Sequence, residues 1–167
     1  MISVRPAKHT DFEPVAALMK DFMVQHHHWQ PEQFRHRVLG LTAAIFQTWL
    51  SEADELHLVA EMDGNIIGYV MANRWRGTGA AFVYPRRGVF VGTIVIAPDQ
   101  RRNGAGRALF VAVERWATDF NAEYIGLSVA AQNDAAKSFY TALGYDVESE
   151  YRAKTLRHVT RMSSVPE

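Results

Sequence analysis

Val95-Ile96-Ala97-Pro98-Asp99-Gln100-Arg101-Arg102-Asn103-Gly104-Ala105-Gly106-Arg107-Ala108-Leu109-Phe110 is the stretch on which the reading of this chain turns. An apolar strand, already under way at Ile94, passes through a proline into an arginine- and glycine-rich turn that opens a helix. Such a turn builds an anion site out of backbone. Gly104 and Gly106 let the main chain turn and approach a ligand closely, the first amides of the helix lack internal partners, and the helix dipole adds positive charge. Arg101, Arg102 and Arg107 add full charges, so the natural ligand is a phosphate or pyrophosphate. Two common phosphate sites are excluded by spacing. A P-loop needs Gly-Lys followed by Ser or Thr, and a dinucleotide fingerprint needs G-x-G-x-x-G with an acidic residue about twenty positions on.

A second pattern lies some thirty residues downstream. Tyr124 to Val129 read as a strand, and Asn133-Asp134-Ala135-Ala136-Lys137-Ser138-Phe139-Tyr140-Thr141-Ala142-Leu143-Gly144-Tyr145 read as a helix closed by glycine. Arg101-x-x-Gly104-x-Gly106 behind Ile94-Val95-Ile96, followed in order by this Asn, Ala, Phe-Tyr and Leu-Gly-aromatic series, resembles the two signatures of the GNAT superfamily of acyl-CoA-dependent N-acetyltransferases. The resemblance covers nearly the whole chain. It implies acetyl-CoA as co-substrate and a primary amine of a small molecule or peptide as acceptor. It also implies that the Ile94, Val95 and Ile96 backbone pairs with the pantetheine arm. The turn from Arg101 and Arg102 through Asn103, Gly104, Ala105 and Gly106 to Arg107 then holds the pyrophosphate. Asn133 contacts the pantetheine or pyrophosphate side of the coenzyme. Tyr140 lies near the sulfur, where it contacts the coenzyme and serves as proton donor. A phenol can give one proton and accept a hydrogen bond, so the residue type suits the role. A catalytically inactive acyl-CoA-binding regulatory or sensory module is the alternative.

The order of elements agrees with that resemblance. Phe12, Val15, Ala16, Met19, Phe22 and Met23 recur at helical spacing after a first strand at Met1 to Pro6, with Thr10 or Asp11 as N-cap. Phe34, Val38, Leu41, Ile45 and Trp49 mark a second helix that starts after Pro31, with Gln25 to Gln30 as the link between the two. Leu56 to Glu61 and Ile66 to Met71 flank Asp63-Gly64, a hairpin signal. A strand from about Val89 to Ala97 leads into the turn. Ala72 to Arg87 reads as a long loop or as extended hairpin ends. A helix from about Gly104 to Phe120 presents Ala105, Leu109, Ala112, Val113, Trp116 and Phe120 on one face. Two final strands are expected near Tyr145 to Glu150 and Leu156 to Met162. The predicted class is α/β (α+β), a GNAT-like fold with a mixed sheet of about six to seven strands and about four helices. Residues 1–162 form the one expected domain, with 163–167 a polar tail.

Composition narrows the rest. The chain has 167 residues, 48% of them hydrophobic, enough for a sizeable core, and its formal net charge is zero. Nothing in that balance points to nucleic acid or an anionic membrane, and positive charge is local to the turn. With no cysteine there is no disulfide framework, thiolate nucleophile or Cys-based zinc site. The N-terminus lacks the apolar run of a signal peptide, so a cytoplasmic protein is expected. Dimers are common among proteins of this kind, which makes a homodimer an expectation.

The amine acceptor must lose a proton before it attacks, because an alkylamine titrates near ~10.4 whereas the thiol leaving group titrates near ~8.5. Val91 to Ile94 and Gly126 to Val129, the strands on which many family members carry a glutamate, hold no carboxylate here, and Ser128 alone is too weak a base. His26-His27-His28 is the other candidate. Consecutive histidines do not converge on one ion as i, i+4 pairs do, so no metal is expected. A base or substrate-contact role competes with a solvated link. Arg74, Arg76, Arg86 and Arg87 read either as a solvated loop or as contacts to an anionic acceptor or the coenzyme phosphates. Trp29, Trp75 and Tyr84 are candidate walls of an acceptor pocket.

Overall fold

The computed structural model describes residues 1–34, 41–77, 79, 81–82 and 84–154. Five strands form one mixed sheet in the order β1 (Ile2–Pro6), β2 (Glu55–Met62), β3 (Asn65–Arg76), β4 (Arg87–Ile96) and β5 (Tyr124–Leu127). Neighbours run antiparallel except β4 and β5, which are parallel. A parallel pair needs a long crossover, and α3 (Ala105–Asp119) supplies it. α1 (Phe12–Trp29) and α2 (Ala43–Ser51) lie between β1 and β2 in sequence, and α4 (Asp134–Ala142) follows β5.

Each face of the sheet carries its own core. Leu109, Phe110 and Val113 of α3 pack on Leu58, Val70, Val89 and Val91, with Phe139 and Tyr140 of α4 against the same cluster. On the other face Val15 and Leu18 of α1 and Phe46 of α2 pack on Val59, Tyr69 and Val95. The β2–β3 hairpin turns at Asp63 and Gly64 with φ of 52° and 79°, the pair of positive values that a two-residue turn between right-twisted strands requires.

One local irregularity orients the site. Met71 pairs with Thr93 and Ala72 with Val91, so Gly92 is an extra residue in β4. Such a bulge shifts the alternation of the strand by one. Val89 and Val91 face α3 before it, Ile94 and Ile96 face α3 after it, and Val95 turns to the α1 side.

The first nine major elements follow the expected order, and four details differ. Residues 145–150 form no strand: Tyr145 packs on the core, but Val147 is 88% exposed, so among the described residues the segment buries only its first side chain. The Leu156 to Met162 strand lies outside the described residues, which therefore show five strands rather than six to seven. The link Gln25 to Gln30 is mostly helix, because α1 continues through His26, His27 and His28 to Trp29. The second helix begins at Ala43, where the Thr42 hydroxyl accepts from the Ile45 N–H. Phe34 precedes that helix, Val38 lies outside the described residues, and the side chain buried from α2 is Phe46, not the 41% exposed Ile45. The Ala72 to Arg87 segment is an extended hairpin end at 72–76 and at Arg87, since β3 runs to Arg76 and β4 starts at Arg87, and its described residues from 77 to 86 are not strand.

Candidate active site

β4 and β5 stay paired only from Gly88 and Tyr124 to Val91 and Leu127. β4 then runs on to Ile96, leaving the edge of Gly92 to Ile96 that would face β5 without a strand partner among the described residues. A cavity of about 590 Å³ opens in this gap. Gly92 to Ile96 border one side and Ser128, Val129 and Ala130 the other.

At the end of β4 the chain enters the arginine turn. Arg102 and Gly104 both take positive φ, 64° and 97°, and Gly104 is the residue at the N-terminus of α3. The Asn103 side chain accepts from the Ala105 N–H at 3.0 Å. The N–H groups of Gly106 and Arg107, one step further in, have no helical carbonyl four residues back, so they remain donors for an anion. A Cβ at Gly106 would stand 3.2 Å from Cζ of Phe139, so its absence lets α4 approach the start of α3. Arg101 turns its Nε toward the Ile96 carbonyl at 3.3 Å. Arg101, Arg102, Asn103, Gly104, Gly106 and Arg107 all line the cavity. Ala105 does not; it is buried in the core, and only its backbone belongs to the turn.

α4 closes the same cavity. Asn133 caps it, its carboxamide oxygen accepting from the Ala136 N–H at 3.1 Å. Asn133 and Tyr140 both line the cavity. Burial pushes the Tyr140 phenol up to about 12, so it is protonated throughout the neutral range. Ile94, Val95, Ile96, the turn residues other than Ala105, Asn133 and Tyr140 thus border one space.

The opposite wall was largely missed. Asp21, Phe22, Gln25, His26 and Trp29 of α1 line the cavity from the other face of the sheet. Their i, i+1, i+4, i+5, i+8 spacing puts them on one side of the helix, a signal hidden when Phe22 reads as core and the histidines as link. Of the three proposed wall aromatics, Trp29 lines the cavity. Trp75 packs edge-on against Tyr124, and Tyr84 is 88% exposed.

Arg74, Arg76 and Arg86 belong elsewhere. They sit where β3 and β4 begin their pairing at Arg76 and Arg87, nine residues and roughly 30 Å along the strand from Ile96. Arg74 lies over the rings of Trp116 and Phe120, Arg76 over Phe120 and Arg86 over Tyr124, all within 5 Å of a ring centroid. Each stacks on an aromatic ring while keeping part of its side chain in solvent, and that distance separates them from the arginine turn. Among the described residues no three His, Asp or Glu side chains gather as a metal site, and no helix is long and apolar enough to cross a membrane.

Residues 17–145 match the model of the acetyltransferase (GNAT) family. The chain belongs to this family. Among its relatives, an N-alpha-acetyltransferase of Sulfurisphaera tokodaii is 32% identical over 118 residues, 68% of this chain and 67% of that protein. The catalytic subunit of the N-terminal acetyltransferase B complex of Schizosaccharomyces pombe is 31% identical over 107 residues, 62% of this chain; the match spans only 56% of that subunit. The GNAT fold is equally plain in solved structures. A variant of the BH1408 protein of Bacillus halodurans superposes with a TM-score of 0.88 at 24% identity, covering 93% of this chain and 99% of the other. An aminoglycoside N-acetyltransferase crystallised with CoA superposes at 0.70 and 20% identity, again over 93% and 99%.

Proposed function

We propose that this GNAT protein, acting as one domain over residues 1–162, is an N-acetyltransferase that moves the acetyl group of acetyl-CoA to a primary amine of a small molecule or peptide. The observation that carries the reading is the gap between β4 and β5, with an arginine-rich helix N-terminus at one end and a protonated, half-buried Tyr140 on its wall. Relatives named as N-terminal or N-alpha-acetyltransferases support an amine acceptor, and the aminoglycoside enzymes among the structural neighbours extend the range to small molecules.

In this reaction the unpaired edge of Ile94, Val95 and Ile96 forms strand-like bonds with the amides of pantetheine. The Arg101 to Arg107 turn holds the pyrophosphate, and Asn133 borders the same coenzyme. A backbone N–H of β4 polarises the thioester carbonyl, an interaction worth about 3 kcal/mol per donor in the transition state. The neutral amine attacks the carbonyl carbon, the C–N bond forms, the C–S pair returns to sulfur, and Tyr140 protonates it.

Calorimetry with acetyl-CoA tests the first half of the proposal, and CoA-thiol release with spermidine, tyramine, kanamycin and a tripeptide amide bearing a free N-terminus tests the second. Binding with amine-dependent thiol release is expected. Absence of acetyl-CoA binding overturns the whole reading; binding without transfer to any of these amines would favour a non-catalytic acyl-CoA-binding module.

A further inference from the structure

We propose that His26 is the general base that deprotonates the acceptor amine. The inference rests on the acetyl-transfer reading and supplies the group that β4 and β5 lack, since neither strand carries a carboxylate into the gap.

Three features of the structure carry it. His26 lines the cavity from α1, on the face of the sheet opposite to the core against which Tyr140 packs. A base and an acid so placed take a proton from the acceptor on one side of the thioester and return one to sulfur on the other. The second feature is the tautomer. His26 Nδ1 lies 2.9 Å from the Phe22 carbonyl, which can only accept, so Nδ1 carries the hydrogen and Nε2 keeps the basic lone pair. Among the described residues that Nε2 has no hydrogen-bond partner. The third is rigidity. The imidazole stacks on Phe22 with centroids 3.9 Å apart and meets the rings of Trp29 at 5.3 Å and Phe34 at 5.0 Å. A base held this way is aimed before the acceptor arrives.

The charged and titratable groups around it come from every neighbouring element. Asp21 and the adjacent His27 are on α1, Glu32 follows that helix, Arg101, Arg102 and Arg107 are on the turn, and Tyr140 is on α4. Asp21 is the one carboxylate among the lining residues, and it attracts an acceptor that enters as an ammonium. The ammonium gives one proton to Nε2 and becomes a neutral amine, which forms the C–N bond as the C–S bond breaks. Tyr140 gives its proton to sulfur. The surplus proton on the new C–N nitrogen replaces it through solvent, and His26 passes its own to water.

His26→Asn tests the assignment, because the shorter amide can still donate to the Phe22 carbonyl but cannot act as a base. With the fastest amine among spermidine, tyramine, kanamycin and the tripeptide amide, kcat/KM at pH 7 is expected to fall about 100-fold or more, with acetyl-CoA affinity unchanged. The deficit should shrink as pH rises toward about 10, where a growing fraction of an alkylamine is already neutral. A loss of the same size at every pH, or no loss at pH 7, overturns the assignment. Wild-type protein that binds acetyl-CoA but acetylates none of the four amines instead removes the reaction itself, and the base with it.

Discussion

The ring of Phe110 on α3 lies 5.6 Å from the ring of Tyr140 on α4, centroid to centroid, with the planes at 60°. The same side chain meets Phe139 at 5.7 Å and Tyr145 at 5.5 Å. One buried aromatic thereby joins the helix that begins at the arginine turn to the helix that carries Tyr140, the proposed proton donor. Phe110→Ala is expected to cost about 3–5 kcal/mol of stability, through lost burial and the cavity it leaves. Because Tyr140 loses its support, turnover should fall more than acetyl-CoA binding. Urea unfolding beside steady-state kinetics measures both.

Tyr140→Phe separates chemistry from packing. The ring contacts persist, and burial is what raises the phenol, so no ion pair is lost with the hydroxyl. Stability should change by less than about 1 kcal/mol, whereas kcat at neutral pH falls by about 100-fold. Equal kcat for the two proteins across the pH range would remove Tyr140 from the role of proton donor.

Alkali should unfold this protein from its tyrosines. Burial pushes Tyr140 and Tyr145 up to about 12, and Tyr69 is raised as well. In the unfolded chain each ionises near ~10. The unfolded state therefore sheds these protons first as pH rises. Their contribution is intact below about pH 10 and is lost as pH climbs toward the folded values. Phenolate absorbance, followed beside circular dichroism, measures this. Ionisation of Tyr69, Tyr140 and Tyr145 should coincide with loss of structure.

At the acid end the sensitive group is Asp11. Arg5 grips both its oxygens, at 2.7 and 3.1 Å, and the Lys8 N–H adds a third bond at 2.7 Å. These bonds hold the Asp11 carboxyl below the usual range, with Arg5 the largest cause. Its contribution is present above an unfolded value near ~3.9 and disappears as pH falls through the lower folded one. Asp11→Asn should cost about 2 kcal/mol at pH 7, a difference that thermal melts show vanishing in strong acid.

Gly104→Ala tests the turn. Nothing lies within 4 Å of a Cβ there, so the penalty comes from φ of +97° alone. A loss of about 1–2 kcal/mol is expected, with weaker acetyl-CoA binding if the strain relaxes by tilting the first amides of α3. Calorimetry of the variant measures that loss.

Local patterns in the sequence were enough for the elements whose information is short-range. Glycines at a helix start, a two-residue hairpin turn and the Asn133 cap each act within a few residues, so the turn, the β2–β3 hairpin, α3 and α4 could be read directly. The family resemblance rested on the same short-range marks. Tertiary structure decided what depends on partners. The Tyr145 to Glu150 alternation is strand-like, yet a strand needs a neighbour and a face to bury, and among the described residues no strand pairs with these, while Val147 stays 88% exposed. The bulge at Gly92, visible only once β3 and β4 are in register, turns Val95 toward α1. The histidine run reads as a link until α1 is seen to continue through it, and only then does His26 come to the wall of the cavity opposite Tyr140. The arginine-turn half of the cavity is backbone and local charge, which the sequence determines by itself; the α1 half is a helix face brought across a sheet, which only packing can place.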